Sequence, residues 1–330
     1  MDHVRLGRTG LLVSRACLGT MTFGLQCEEE TSMAIMDRAY EKGVDFFDTA
    51  DVYPLGGTLD TVGRTEEIVG RWLASRRHPV VVATKCVGRT GPSAWDQGAS
   101  AKHVHEAVDA SLRRLGVEAI DLYQLHSYDA GTPIDETLGA LDDLVRAGKV
   151  RYVGCSNFLA WHLARALGRS ETLGLARLDS VQPRYNLLFR EMERELFPLC
   201  QAEGVGVIPY NPIAGGLLSG RHDRSAPPPE GSRFTLGTAA ATYQRRYWHD
   251  RELDTVDSVG QLAREAGLTP ARLAVAWVLA HPAVTSAIIG ASRPDQLEET
   301  LGAVDTVLPG DLKARLDELT ADYRRGDAAR

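Results

Sequence analysis

The sequence predicts an α/β protein: a (β/α)8 TIM barrel with an N-terminal β-hairpin, a long loop after strand seven and a C-terminal extra helix. Three observations predict it. Short apolar runs alternate with longer helical patterns eight times along the chain. The runs show little polar alternation, as parallel strands covered on both faces should. All but one of the interior links are short, so residues 1–330 are expected to form a single domain. Repeated parallel units in this number favour a closed barrel over a doubly wound sheet.

Each element has a local reason. Two short runs, 4–6 and 12–14, flank a Gly-rich turn and read as a hairpin. The first core strand is ACLGTM at 16–21. Helix 30–42 follows and stops at Gly43, which can take the positive φ of a helix end. Strand 44–50 (VDFFDTA) precedes helix 65–76, and strand 80–85 (VVVATK) precedes helix 101–116. Strand 120–126 (IDLYQLH) leads to helix 133–149, and strand 151–156 (RYVGCS) to helix 159–169. Strand 178–186 (LDSVQPRYN) leads to helix 191–204, and strand 205–211 (VGVIPYN) to the long loop. Helices 250–267 and 270–282, strand 286–291 (SAIIGA), helix 294–304 and an amphipathic helix over about 309–324 complete the chain. The stretch 213–250 reads as irregular and would overhang the C-terminal mouth of the barrel, where barrel active sites lie.

Composition narrows the function. With 37 Lys+Arg against 44 Asp+Glu the net charge is −7, which argues against general affinity for nucleic acid or an anionic membrane. Cys17, Cys27, Cys86, Cys155 and Cys200 are widely spaced and form no C-x-x-C, so neither a disulfide framework nor a zinc ribbon is expected. The most apolar stretch, 273–280, is too short to span a bilayer, and residues 1–15 lack a signal-peptide core. The expectation is a soluble cytoplasmic protein without a metal.

Strand ends converge in a barrel, so the residues there form one candidate set. They are Asp48 and Tyr53 after strand two, Lys85 after strand three and His126 after strand four. Ser156 and Asn157 follow strand five, Gln182 lies in strand six and Tyr210 ends strand seven. A buried Lys needs a carboxylate partner. A free tyrosine, with a pKa of about 10, is a poor acid near neutrality. An adjacent ammonium would stabilise its phenolate, lower that pKa and make it a proton donor to a carbonyl, with a histidine holding the substrate oxygen.

Five segments in order, D-T-A-x-x-Y at 48–53, A-T-K at 83–85, L-H at 125–126, G-x-S-N at 154–157 and I-I-G-A-S at 288–292, resemble the aldo-keto reductase superfamily. The resemblance covers nearly the whole chain. It implies a barrel that binds NADPH/NADP+ without a Rossmann domain, and the chain has no G-x-G-x-x-G after a strand. It implies that Tyr53 is the general acid, Lys85 lowers its pKa, Asp48 orients Lys85 and His126 positions a small-molecule carbonyl. It further implies that Thr20, Ser156, Asn157 and Gln182 bind the cofactor, with Tyr210 stacked on the nicotinamide. The pyrophosphate would lie on Gly216, Leu217, Ser219 and Arg221, and the adenosine end on Gly290, Ser292, Arg293, Gln296 and Glu299. An Arg beside a ribose 2′-phosphate favours NADPH over NADH. Thr300, Arg221 and Asn211 depart from the Asn, Lys and Ser common in that family.

His103-x-His105-Glu106 suggests a metal site, but residues two apart on a helix do not share a face, which favours a solvated surface. GGLLSGRH at 215–222 is close to a P-loop but lacks its Lys and Ser/Thr. Cys86 and Cys155 should turn away from the pocket by strand alternation. Asp129, Asp135 and Glu136 could pair as in glycosidases, although acids at a helix N-terminus suffice to explain them. Phe23 and Trp95 are candidate apolar walls for the substrate. The long loop carries Arg233, Tyr243, Arg245, Arg246, Tyr247 and Trp248, either a mobile cover or a lid for a polar carbonyl such as an oxo-sugar. The alternative class is an NADPH-binding regulatory or sensor subunit with slow turnover, since potassium-channel β subunits resemble this fold. Self-association stays open, because the last helix suits either a cap or a partner.

Overall fold

A computed structural model describes residues 1–222, 224 and 226–329, with the side chains of 328 and 329 left aside. The chain opens with β1 (His3–Arg5) antiparallel to β2 (Leu12–Ser14). The first three strand–helix units are β3 (Ala16–Gly19) with α1 (Glu29–Glu41), β4 (Phe46–Asp48) with α2 (Arg64–Arg76), and β5 (Val81–Cys86) with α3 (Ala101–Leu115). Helix α3 shows why these units punctuate cleanly. The Ser100 hydroxyl accepts from the His103 N–H at its start, and Gly116 ends it with φ 65°. Next come β6 (Ile120–Leu125) with α4 (Ile134–Arg146), β7 (Val150–Ser156) with α5 (Ala160–Leu173), and β8 (Leu178–Gln182) with α6 (Leu196–Glu203). After β9 (Gly206–Val207) come α7 (Ala240–Tyr247), α8 (Asp250–Glu265) and α9 (Pro270–Leu279), then β10 (Ala287–Gly290), α10 (Gln296–Leu301) and α11 (Gly310–Leu319).

The eight core strands run in the spatial order β10-β3-β4-β5-β6-β7-β8-β9, every neighbouring pair parallel. The ring closes between its end strands, where Thr285 N–H donates to Val207 O (2.8 Å) and Ile288 N–H to Pro209 O (2.9 Å). Cys17, Phe46, Ala83, Leu122, Ile208 and Ile288 fill the interior, and Leu6 and Val13 of the hairpin segment plug its N-terminal end. The hairpin turn fits because Gly7 has φ 57° and a Cβ there would lie 2.5 Å from Gly204 O. A second, larger apolar layer joins the outside of the strands to the helices.

Several boundaries differ from expectation for identifiable reasons. The expected strand 205–211 shrinks to Gly206–Val207, because Pro209 has no N–H and Asn211 sits at φ 67°. The expected helix 191–204 splits into a 3-10 turn, Glu191–Glu193, and α6, which puts Pro198 in a first turn where no N–H is needed. The last helix ends at Leu319 and buries Leu312 and Leu316 within this chain; a 3-10 stretch, Ala321–Ala329, follows. The stretch 213–250 is not irregular throughout. It holds a 3-10 turn over Ala214–Ser219, another over Gly237–Ala239, and α7. It is fastened across the barrel mouth by Gln26 Nε2–H to Gly231 O (2.6 Å) and Thr238 N–H to Gly56 O (3.4 Å). Its own Phe234, Tyr243 and Tyr247 are buried.

Candidate active site

Strand alternation places the chemistry. Phe46, Ala83 and Leu122 face the barrel interior, so the residues two further along, Asp48, Lys85 and Gln124, face it as well, one layer nearer the mouth. The lower layer is apolar and the upper one polar. Lys85 has no exposed surface, and its Nζ donates to Asp48 Oδ2 (2.5 Å) and to Thr49 O (2.7 Å). The other Asp48 oxygen accepts from Gln182 Nε2 (2.9 Å) and Gln124 Nε2 (3.2 Å). The carboxylate is therefore held on both sides.

Tyr53 lies on the loop that follows β4, five residues after Asp48. Its ring centroid lies 5.1 Å from Lys85 Nζ and 5.8 Å from the His126 ring, which meets it nearly edge-on at 80°. Burial acts against the Lys85 ammonium, but Asp48 and Tyr53 outweigh it and hold the lysine pKa above its ordinary value. Burial pushes the Tyr53 phenol up; Lys85 pulls it down, but the net effect, with Asp48, is upward. The expectation of a lowered phenol pKa is thus corrected: in the free protein desolvation exceeds the pull of the ammonium, and Tyr53 keeps its proton. His126 goes the other way. Burial, helped by Lys85, lowers it to about 3, so its imidazole is neutral.

A second chain of contacts runs from this set towards Tyr210. Asn157 sits at φ 58°, a conformation Asn tolerates, and its Nδ2 donates to His126 O (2.9 Å) and Ser156 Oγ (3.0 Å). Ser156 Oγ donates to Gln182 O (2.8 Å), and Tyr210 OH donates to Asn157 Oδ1 (2.9 Å).

These residues open onto one cavity of about 920 Å³. Thr20, Asp48, Tyr53, His126, Ser156, Asn157, Gln182 and Tyr210 line one end of the expected set. Gly216, Ser219, Arg221, Gly290, Ser292, Arg293, Gln296 and Glu299 line the remainder. A Cβ at Gly216 (φ 103°) would meet nothing nearer than His222 Nε2 at 3.7 Å, so its backbone lies bare against the cavity. Four expected positions do not line it, Lys85 among them, fully buried with its Nζ on Asp48. Leu217 buries its side chain in the core. Phe23 is likewise buried in the layer between strands and helices. Trp95 lies outside on the loop after β5, half exposed, with Lys102 Nζ 5.8 Å from its ring centroid. Neither aromatic walls the pocket.

Other side chains find structural partners. Asp129 accepts from Ala99 and Gly131 N–H (both 2.8 Å), Asp135 pairs with Arg169 and Glu136 accepts from Ala101 N–H (3.0 Å). His103 is buried rather than solvated, because its face of α3 packs inward, while His105 lies 3.7 Å from Asp143. Cys86 and Cys155 are buried, and burial pushes both thiols up. Sequence reasoning missed Gln124, which holds Asp48. The available signal was a glutamine in an otherwise apolar strand run, in phase with Leu122.

Comparison with known proteins agrees with this geometry. The Aldo/keto reductase family model matches residues 15–321. The chain is 38% identical over 327 residues to an uncharacterized oxidoreductase, YrpG, of Bacillus subtilis, covering 97% of this chain and 96% of that protein. It is 36% identical over 312 residues to a probable voltage-gated potassium channel subunit beta of Arabidopsis thaliana, covering 93% and 92%. It is 34% identical over 340 residues to the versiconal hemiacetal acetate reductase of Aspergillus parasiticus, covering 93% and 94%. With a closed parallel barrel, a buried lysine–aspartate pair at its mouth and a family match over nearly its full length, the chain belongs to the aldo/keto reductase family of oxidoreductases.

Proposed function

We propose that the protein is an NADPH-dependent reductase of aldehydes or ketones that acts in the cytoplasm on a small polar carbonyl such as an oxo-sugar. The observation that carries this reading is the Asp48–Lys85 pair beside a protonated Tyr53 and a neutral His126. NADPH, when bound, supplies a hydride to the carbonyl carbon. Tyr53 gives its phenolic proton to the carbonyl oxygen. The ammonium of Lys85 then offsets the phenolate charge, and Asp48 keeps that ammonium in place. His126, being neutral, donates one ring N–H to the same oxygen and orients it.

The residues present fit the cofactor. Gln182 spends its amide N–H groups on Asp48 and Gln124, which leaves Oε1 to accept from a nicotinamide carboxamide. Ser156 and Asn157 complete that polar corner, and Tyr210 offers a ring for stacking. The bare backbone at Gly216, with Ser219 and Arg221, suits a pyrophosphate. Thr20, Gly290, Ser292, Arg293, Gln296 and Glu299 share the same cavity, and the Arg293 fork suits a 2′-phosphate. All five cysteines are buried and unpaired, in keeping with a reduced compartment, and among the described residues no helix is long and apolar enough to cross a membrane.

The test is NADPH consumption over a panel of aldehydes, diketones and oxo-sugars, with Tyr53→Phe alongside. The variant should bind NADPH like wild type and lose about 10²–10⁴ in kcat. Full activity of Tyr53→Phe would refute the assignment. The likeness to a probable potassium channel subunit beta favours a second reading, a cofactor-dependent sensor. A sensor would reduce its bound carbonyl once and then release product too slowly for steady turnover.

A further inference from the structure

We infer that Arg246 determines specificity by receiving an anionic group, a carboxylate or a phosphate, on the carbonyl substrate; this rests on the reductase reading. Helix α7 turns Thr242, Tyr243 and Arg246 towards the cavity. Most other charged groups there are paired: Arg221 with Glu299, Arg293 with Asp295 and Asp48 with Lys85. Arg233 has no ion pair among the described residues but donates to Tyr243 OH (3.3 Å). Glu230 is exposed at the rim and makes no ion pair with Arg246. The Arg246 guanidinium has neither a hydrogen bond nor an ion pair among the described residues. A half-buried guanidinium without a carboxylate partner, facing a cavity, is a ready partner for an anion that enters it.

Position makes that anion part of the substrate. Arg246 lines the same cavity as Tyr210, whose phenol burial pushes up to about 12 and Arg246 and Arg184 pull down. Tyr210 is tied through Asn157 to the backbone carbonyl of His126, whose ring is proposed to hold the substrate oxygen. Tyr243, on the same face of α7, lines the cavity together with Tyr210 and Tyr53. The free guanidinium therefore stands on the wall that borders the reacting centre. Arg245 does not share the role: it is exposed and lies outside the cavity. A planar fork favours bidentate capture of a carboxylate or phosphate.

The experiment compares wild type, Arg246→Ala and Arg246→Lys on two pairs of probes. One pair is 4-carboxybenzaldehyde and its neutral methyl ester; the other is glyceraldehyde 3-phosphate and glyceraldehyde. The ratio of kcat/KM, anionic over neutral, should fall about 10–100-fold in Arg246→Ala for at least one pair, and less in Arg246→Lys. The pair affected identifies carboxylate or phosphate. Equal losses on both members of each pair would overturn the inference. So would weaker NADPH binding by Arg246→Ala, followed by fluorescence quenching, which would assign the arginine to the cofactor's own phosphates. If wild type reduces the neutral probes without this ratio shift in the variants, the inference alone fails. If wild type reduces none of the four, the reductase reading fails and takes the inference with it.

Discussion

At the residue scale, burial sets the protonation states that the chemistry needs. His126 is the clearest case. Its pKa is about 3 in the fold against an ordinary 6.5, with burial first and Lys85 second as causes. Above pH 6.5 both the folded and unfolded chains carry a neutral imidazole. As pH falls from 6.5 towards 3, the unfolded chain takes up a proton that the folded site refuses, so stability falls by about 1.4 kcal/mol per pH unit from this group. Asp179 acts in the opposite sense: burial raises it to about 6, so its contribution is full below an ordinary carboxylate pKa and is lost as pH rises through 6. The two oppose each other in mild acid, and a difference measurement separates them. Urea unfolding from pH 7 to 4 should show His126→Gln losing stability less steeply than wild type, by about one proton. Parallel curves would mean that His126 charges freely inside the fold.

At the element scale, one buried carboxylate ties three elements behind the site. Glu66 of α2 accepts from Thr84 of β5 (2.5 Å) and from Arg114 Nε and Nη2 of α3 (2.7 and 2.6 Å). The helices approach closely enough that a Cβ on Gly70 would lie 2.3 Å from Arg114 O. Buried Asp51 sits nearby, its carboxyl pushed well up by burial and by the charge of Glu66. Arg114→Met should therefore cost about 3–5 kcal/mol in urea unfolding, because it strands Glu66, and adding Glu66→Gln should recover part of that loss. Additive losses would show that the pair is not coupled. The strand ends on which this network and the active site stand were legible in the sequence, because apolar runs and their terminal polar residues carry the barrel's layers. Asp48, Lys85 and Gln182 were readable for that reason. Phe23 and Trp95 were misplaced because each follows a strand on a loop, where strand alternation no longer fixes direction. The α7 segment escaped because AAATYQRRYW has a weak apolar stripe; its helix is held by packing of Phe234, Tyr243 and Tyr247 over the mouth.

At the scale of the whole molecule, the barrel separates stability from chemistry by its two ends. The polar layer of Asp48, Lys85, Gln124 and Gln182 faces the C-terminal mouth, and every charge in it is held by a neighbour. The N-terminal end is closed by Leu6 and Val13, both fully buried against interior residues such as Cys17 and Phe46. Truncating this plug should therefore act on folding alone. Leu6→Ala leaves a void that the rigid strand ring cannot collapse around, and a loss of about 2–5 kcal/mol is expected from the removed contacts and the cavity. Because the apolar layer of Phe46, Ala83 and Leu122 lies between the void and the reacting groups, kcat on a neutral aldehyde should match wild type at temperatures where both are folded. Urea unfolding followed by tryptophan fluorescence, with steady-state kinetics on the same preparation, reads both quantities. A fall in kcat with intact folding would mean that strain passes through the barrel core to Tyr53 and Lys85, and that the two ends are not independent.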